Sequence, residues 1–181
     1  MAPGLTKLVP RPAPNAINSG LSSLKAATLL KTLGRPRPKL TSNCEPVTSS
    51  AMRKRIVTED VGPFRVTGLD IAVDSLRRVF DDVRRERPDL YDAVGNMGML
   101  CCRLVRGSAH IASNHSWGTA IDLTFNGVLD LRGDDKVQIG LLAIYPFFHR
   151  HGWYWGAEFN TEDGMHFELA EETFRKLESA R

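Results

Sequence analysis

Apolar side chains at Leu69, Ala72, Val73, Leu76, Val79, Phe80 and Val83 recur at three- and four-residue steps, with charged residues between them. This period gathers the apolar set on one face of a helix, and Pro88 closes it. Met99 to Val105 is a short apolar run that reads as a buried strand. Gly118 to Phe125 alternates, with Gly118, Ala120, Asp122 and Thr124 on one face and Thr119, Ile121, Leu123 and Phe125 on the other. Asn126-Gly127 has the chemistry of a two-residue hairpin turn, which returns the chain along Val128 to Leu131. Asp134 and Asp135 then cap a helix predicted from Lys136 to Arg150, apolar on nearly every side and so central, with Pro146 as a kink and Gly152 as a stop. Trp153 to Trp155 and Met165 to Leu169 read as short strands, and a last helix is predicted from Ala170 to Ala180. Helices and strands alternate irregularly and one hairpin is present, so the fold class is α+β.

The first sixty residues have a different character. Six of the ten prolines fall before position 40, residues 1–19 read as a Pro/Asn-rich linker, and a short helix is expected within Leu21 to Leu33, ending at Gly34. Residues 39–62 read as loop with one strand near Ile56-Val57. The expected organisation is an N-terminal extension, residues 1–60, followed by a catalytic domain, residues 61–181. Residues 1–58 carry ten Lys/Arg and one acid, a charge of +9, whereas residues 59–181 carry −6. A basic arm of this kind suits an anionic polymer such as nucleic acid, teichoic acid or a membrane surface. It holds no aromatic residue on which bases would stack.

Composition excludes rather little: 42% hydrophobic residues suffice for a core and 25% charged residues for solubility. No run of 18 apolar residues occurs, so no transmembrane segment is expected. Four prolines interrupt Met1 to Pro14, so no standard secretory signal is expected there, and access to a cell wall would need release or export by another system. Cys44, Cys101 and Cys102 are odd in number and match no zinc-knuckle spacing; buried free thiols are expected. A monomer is expected.

The chemistry concentrates in two segments, Ser113 to Asp122 and Asp163 to Glu168. His115 stands seven residues before Asp122, across a bend at Gly118, and His166 arrives on a distant strand. Two imidazoles and one carboxylate hold a zinc ion and leave its fourth position open. A base must then accept a proton, and Asp163, three residues before His166, is placed to do so, with Glu162 beside it as a competitor. Glu168 either supports a ligand histidine or sits exposed. Trp117 and the Trp153-Tyr154-Trp155 run, Trp155 included, are candidate walls of a substrate pocket. His149 and His151 read as cations at a helix C-terminus, and His110 as a loop residue.

Ser113, His115, Gly118, Ala120 and Asp122, followed by Asp163, His166, Phe167 and Glu168, form a pattern that resembles the zinc D-alanyl-D-alanine carboxypeptidase family. That family includes vancomycin-resistance D,D-carboxypeptidases, D,D-dipeptidases and phage L-alanyl-D-glutamate endolysins. The resemblance covers residues 61–181. It implies zinc held by His115, Asp122 and His166, with the acid at position 163 as general base. It also implies an upstream arginine for the substrate's carbonyl or carboxylate, for which Arg103 fits best and Arg106 second, and a substrate contact from Ser113. The implied fold is the small one shared with hedgehog signalling domains, an antiparallel sheet with flanking helices. Many carboxypeptidase members carry Glu where Asp163 stands, whereas the endolysin-like L,D-peptidases carry Asp. The expected activity is therefore hydrolysis of peptidoglycan stem peptides, L,D-endopeptidase ahead of D,D-carboxypeptidase. The rival readings are a zinc-stabilised cell-wall binding module without turnover and a polymer binder led by residues 1–58.

Overall fold

Asn126 and Gly127 both adopt positive φ, which matches the right-handed twist of a tight hairpin and turns the strand after Gly118 back on itself. The computed structural model describes residues 4–181; residues 1–3 of the expected extension lie outside them. In chain order the elements are β1 (Leu8–Pro10), α1 (Ala26–Leu33), α2 (Ser50–Arg53), β2 (Ile56–Asp60), β3 (Arg65–Leu69), α3 (Asp70–Glu86), α4 (Pro88–Ala93) and β4 (Val94–Gly98). There follow β5 (Ala120–Phe125), β6 (Val128–Leu129), β7 (Lys136–Gln138), α5 (Ile139–Arg150), β8 (Trp153–Trp155), β9 (His166–Leu169) and α6 (Glu171–Ser179). The fold is α+β, with small antiparallel sheets and flanking helices.

The main sheet runs β4-β5-β9-β8, with β6 added to β5, and all its pairings are antiparallel. Its register sets Asp122 directly opposite His166 and Ala120 opposite Glu168. Cross-strand partners share a face of the sheet, so a carboxylate and an imidazole from distant segments become neighbours. The opposite face carries Ile121, Leu123, Phe125 and Phe167, all fully buried. Onto it pack α3, with Leu76, Val79 and Phe80, and α5, with Ile144 and Phe148. The Phe148 ring lies 4.3 Å from that of Phe167 and meets Phe80 edge-on at 5.9 Å. Each such side chain, fully buried, contributes about 2 kcal/mol of apolar transfer. This core is what holds the ligand-bearing strands in register.

Several expectations are corrected. Met99 to Val105 is not a strand: the strand precedes it as β4, and the run itself makes only isolated bridges, Cys102 with Glu45 and Leu104 with Ala112. Lys136 to Gln138 does not begin the central helix but pairs with β1, so the segment read as a linker supplies a strand. Cys44 and Cys101 form a disulfide, with Cα atoms 5.1 Å apart, and free-thiol character holds only for Cys102. Burial pushes the Cys102 thiol up to about 11, which leaves it unreactive.

The N-terminal segment wraps the body. Asn18 donates to the Trp155 carbonyl and accepts from its amide, the Trp117 indole donates to the Gly34 carbonyl, and the β2–β3 hairpin crosses residues 60 and 61. No helix among the described residues is long and apolar enough to cross a membrane.

Candidate metal centre

His115 sits in a 3-10 turn, Asn114–Trp117, that ends on Gly118 in the left-handed region at φ 66°. A side chain at Gly118 would strike the backbone of Gly68 and Leu69 at 2.7 Å, and the Gly118 carbonyl accepts from Leu69 at 3.0 Å. The bend that turns His115 toward Asp122 therefore requires glycine. The same turn is tied to the irregular run before it: Cys101 donates its amide to the His115 carbonyl, and Ser116 exchanges hydrogen bonds with the backbone of Arg103.

His115 Nε2, His166 Nδ1 and Asp122 Oδ1 form a triangle with all three sides 3.2 Å. Tetrahedral zinc with bonds of 2.0–2.2 Å sets its ligands about 3.3 Å apart, so the three donors fit the ion. The tautomers fit as well. His115 Nδ1 lies 3.1 Å from the Met99 carbonyl, which can only accept, so that nitrogen carries the proton and Nε2 keeps its lone pair. His166 Nε2 lies 3.0 Å from a Glu168 oxygen, which frees Nδ1 in the same way. Each imidazole is thus held by an acceptor on its far side, an arrangement that fixes ring orientation at metal sites.

Glu168 is fully buried and heavily bonded. It accepts from Ser23 Oγ at 2.6 Å, the Leu24 amide at 3.0 Å and Asn114 Nδ2 at 2.7 Å, besides His166. Asn114 also donates to the Leu24 carbonyl at 2.8 Å, so the N-terminal segment and the metal-site turn are laced together through one carboxylate.

Electrostatics show what the site demands. Burial disfavours the Asp122 carboxylate, but His115 and His166 outweigh it and hold its pKa well below the usual range. Burial likewise opposes charge on His166, yet Asp122 and Glu168 overcome it and raise the imidazole to about 10, so a cation on Nδ1 would take the place of a proton there. Two buried carboxylates call for positive charge at this point, which a divalent cation supplies.

The donors open on a cavity of about 400 Å³ that also receives Arg103, Arg106, Ser113, Arg132 and Asp163. Asp163 Oδ2 pairs with Arg132 Nε at 3.3 Å, while its buried Oδ1 has no hydrogen-bond partner. Burial, partly offset by His166, raises the Asp163 pKa. Arg103 is half-buried, and burial lowers its pKa below the ordinary guanidinium value.

Residues 106–169 match the family model described as D-alanyl-D-alanine carboxypeptidase. Comparison with curated proteins and with solved structures gave no match. The matched segment contains the whole His115, Asp122, His166 cluster and Asp163, and the match supports a zinc peptidase. Arg103 and the entire N-terminal wrap fall outside it.

Other expected residues lie elsewhere. Trp117 and Trp155 are fully buried and line no part of the metal cavity, contrary to expectation. Their indole N–H groups are satisfied by the carbonyls of Gly34 and Gly164, which lets both rings sink into the core. Glu162 is buried and accepts from the Asp134 amide at 2.6 Å, away from the cavity. His149 and His151 bond to the Ser19 carbonyl and to Asp82. Sequence reasoning missed Arg132, Ser23, Leu24 and Asn114. Asn114 lay inside the motif; the other three sit in segments whose spacing carries no signal.

Proposed function

We propose that this chain is a zinc peptidase that hydrolyses peptidoglycan stem peptides, with L,D-endopeptidase specificity ahead of D,D-carboxypeptidase specificity. The observation that carries the reading is the triangle of three donor atoms at 3.2 Å, sharing a cavity with the carboxylate-bearing side chain of Asp163. A binding module has no use for a base there. Endopeptidase specificity is supported by a second hollow beside the metal cavity, bordered like it by Ile111 and Ala112.

His115, Asp122 and His166 would hold the ion. When bound, zinc polarises a peptide carbonyl and brings the pKa of a coordinated water to about 7. The chain's own groups do the rest. The Asp163 carboxylate accepts a proton from the attacking water and returns it to the leaving amine. Arg132 on Oδ2 holds that carboxylate in place at the cavity wall and partly offsets the burial that favours its protonated form. Arg103, with Arg106 at the rim, binds a substrate carboxylate or the developing oxyanion. Ser113 lines the cavity beside His115 and contacts the substrate backbone.

Metal analysis of the purified protein is expected to give about one zinc per chain. Mass spectrometry of muropeptides after digestion names the bond cut, L,D cleavage being expected. Asp163→Asn is expected to keep zinc and lose hydrolysis by about 10²–10⁴-fold, and His115→Ala to lose both. Hydrolysis by zinc-free protein, or sacculi still digested by the Asp163 variant, would overturn the assignment.

A further inference from the structure

We propose that the cleft continues from the metal cavity into a basic groove that binds a carboxylate-bearing stretch of a polymeric peptide substrate. The proposal rests on the peptidase reading only for the nature of that polymer. The groove, about 480 Å³, shares Ala26, Ile111 and Ala112 with the metal cavity. Ile111, 58% exposed, forms the ridge between the two. A peptide seated at the metal site and crossing this ridge would enter the groove directly.

Three cations line the groove, and they differ in what they do. Arg37 is spent internally: it donates to the carbonyls of Lys39 and Pro46 at 2.9 and 3.0 Å and pairs with Glu45 at 3.1 Å. Arg35 and Lys39 are exposed, and their side chains make no hydrogen bond or ion pair among the described residues. Their backbone is nonetheless anchored. Pro36 and Pro38 restrict φ, the Pro36 carbonyl accepts from Thr48 and Ser49 at 3.0 Å each, and the Gly34 carbonyl accepts from Trp117. Two free cations on an anchored backbone bind an anion without the cost of ordering the loop that carries them. No Asp or Glu lines the groove among the described residues. On the near side of the ridge Arg106, also exposed, continues the positive track toward Arg103.

The groove's shape and lining select the class of anion. Its apolar surface is aliphatic, from Leu30, Leu40 and Leu104, which suits the methylene stems of acidic side chains. It holds no Phe, Tyr or Trp, the broad platforms on which successive nucleic-acid bases stack. A multiply carboxylated peptide fits both features.

The test uses the full zinc-loaded chain and the double variant Arg35→Glu/Lys39→Glu, whose positions lie outside the metal site. Fluorescence anisotropy with fluorescein-labelled octaglutamate is expected to show salt-sensitive binding, weakened at least about tenfold by the double variant. Zinc content and hydrolysis of a soluble stem peptide too short to cross Ile111 are expected to stay unchanged, while release of fragments from whole sacculi falls. Equal octaglutamate binding by both proteins would overturn the proposal. So would an eight-nucleotide oligothymidylate bound more tightly than octaglutamate through the same two residues. Hydrolysis by the native chain separates the two readings: charge-dependent octaglutamate binding without any hydrolysis leaves the groove standing and the peptidase reading fallen. Hydrolysis without charge-dependent binding does the reverse.

Discussion

Asp130 is buried, neither of its carboxylate oxygens has a hydrogen-bond partner, and it sits over the Cα of Gly164, next to Asp163. Burial, reinforced by the negative charge of Asp134, raises it from 3.8 to about 7. Between about pH 4 and pH 7 the folded state therefore holds a proton that the unfolded chain releases. Stability from this group is complete below the unfolded pKa and declines as pH rises through about 7. Asp130→Asn keeps the shape and removes the charge. The variant is expected to match the parent at pH 4 and to unfold at a higher temperature at pH 8, by a margin worth a few kcal/mol at most. Calorimetric melts across that range check it, and a variant less stable than the parent at pH 8 would refute it. Individual residues were legible in the sequence to an uneven degree. His115, Asp122 and His166 stood out because two short segments carry all three at spacings a metal can use. Arg132 was hidden because its partner Asp163 lies in another segment and only the folded loop brings them together. Trp117 and Trp155 misled because an indole beside a motif looks like a pocket wall until its N–H is seen to end on a backbone carbonyl.

At the scale of elements, local pattern succeeded where an element buries one face and failed where the chain is held by particular partners. The helix α3 was legible because its apolar positions recur at helical spacing against a charged face. Met99 to Val105 looked like a strand because it is apolar, but its polar backbone groups go to Glu45, Thr41, Ile111 and the His115 turn, not to a ladder. The least legible feature was the tie between the N-terminal segment and the metal centre. Ser23 and Leu24 reach Glu168 across 145 and 144 residues, a contact no local pattern announces. That contact makes the segment part of the site: Glu168 orients His166, and the N-terminal donors orient Glu168. Ser23→Ala removes one donor to a buried carboxylate, a loss of about 1.5–3 kcal/mol. It is also expected to weaken zinc binding by about tenfold, read by competition with a chromophoric chelator. Unchanged zinc affinity alongside reduced stability would show the contact to be structural only.

For the whole molecule, the question is how far the fold depends on its ion. The hydrophobic core, built from α3, α5 and the inner face of β5 and β9, contains none of the three donors. The chain is therefore expected to remain folded when zinc is stripped by a chelator, with far-ultraviolet circular dichroism little changed. What it loses is a bond between three pieces, namely the Asn114–Trp117 turn, β5 and β9. An ion that binds only the folded state at 1,000 times its dissociation constant stabilises it by about 4 kcal/mol. In a domain of this size that corresponds to a midpoint shift on the order of 10 °C. Adding zinc back to the stripped protein is expected to restore the higher midpoint, and His115→Ala to show no response to zinc at all. A stripped protein that melts where the zinc-loaded one does would mean the triangle at 3.2 Å binds no ion in solution. A zinc response that persists in the His115 variant would place the ion elsewhere.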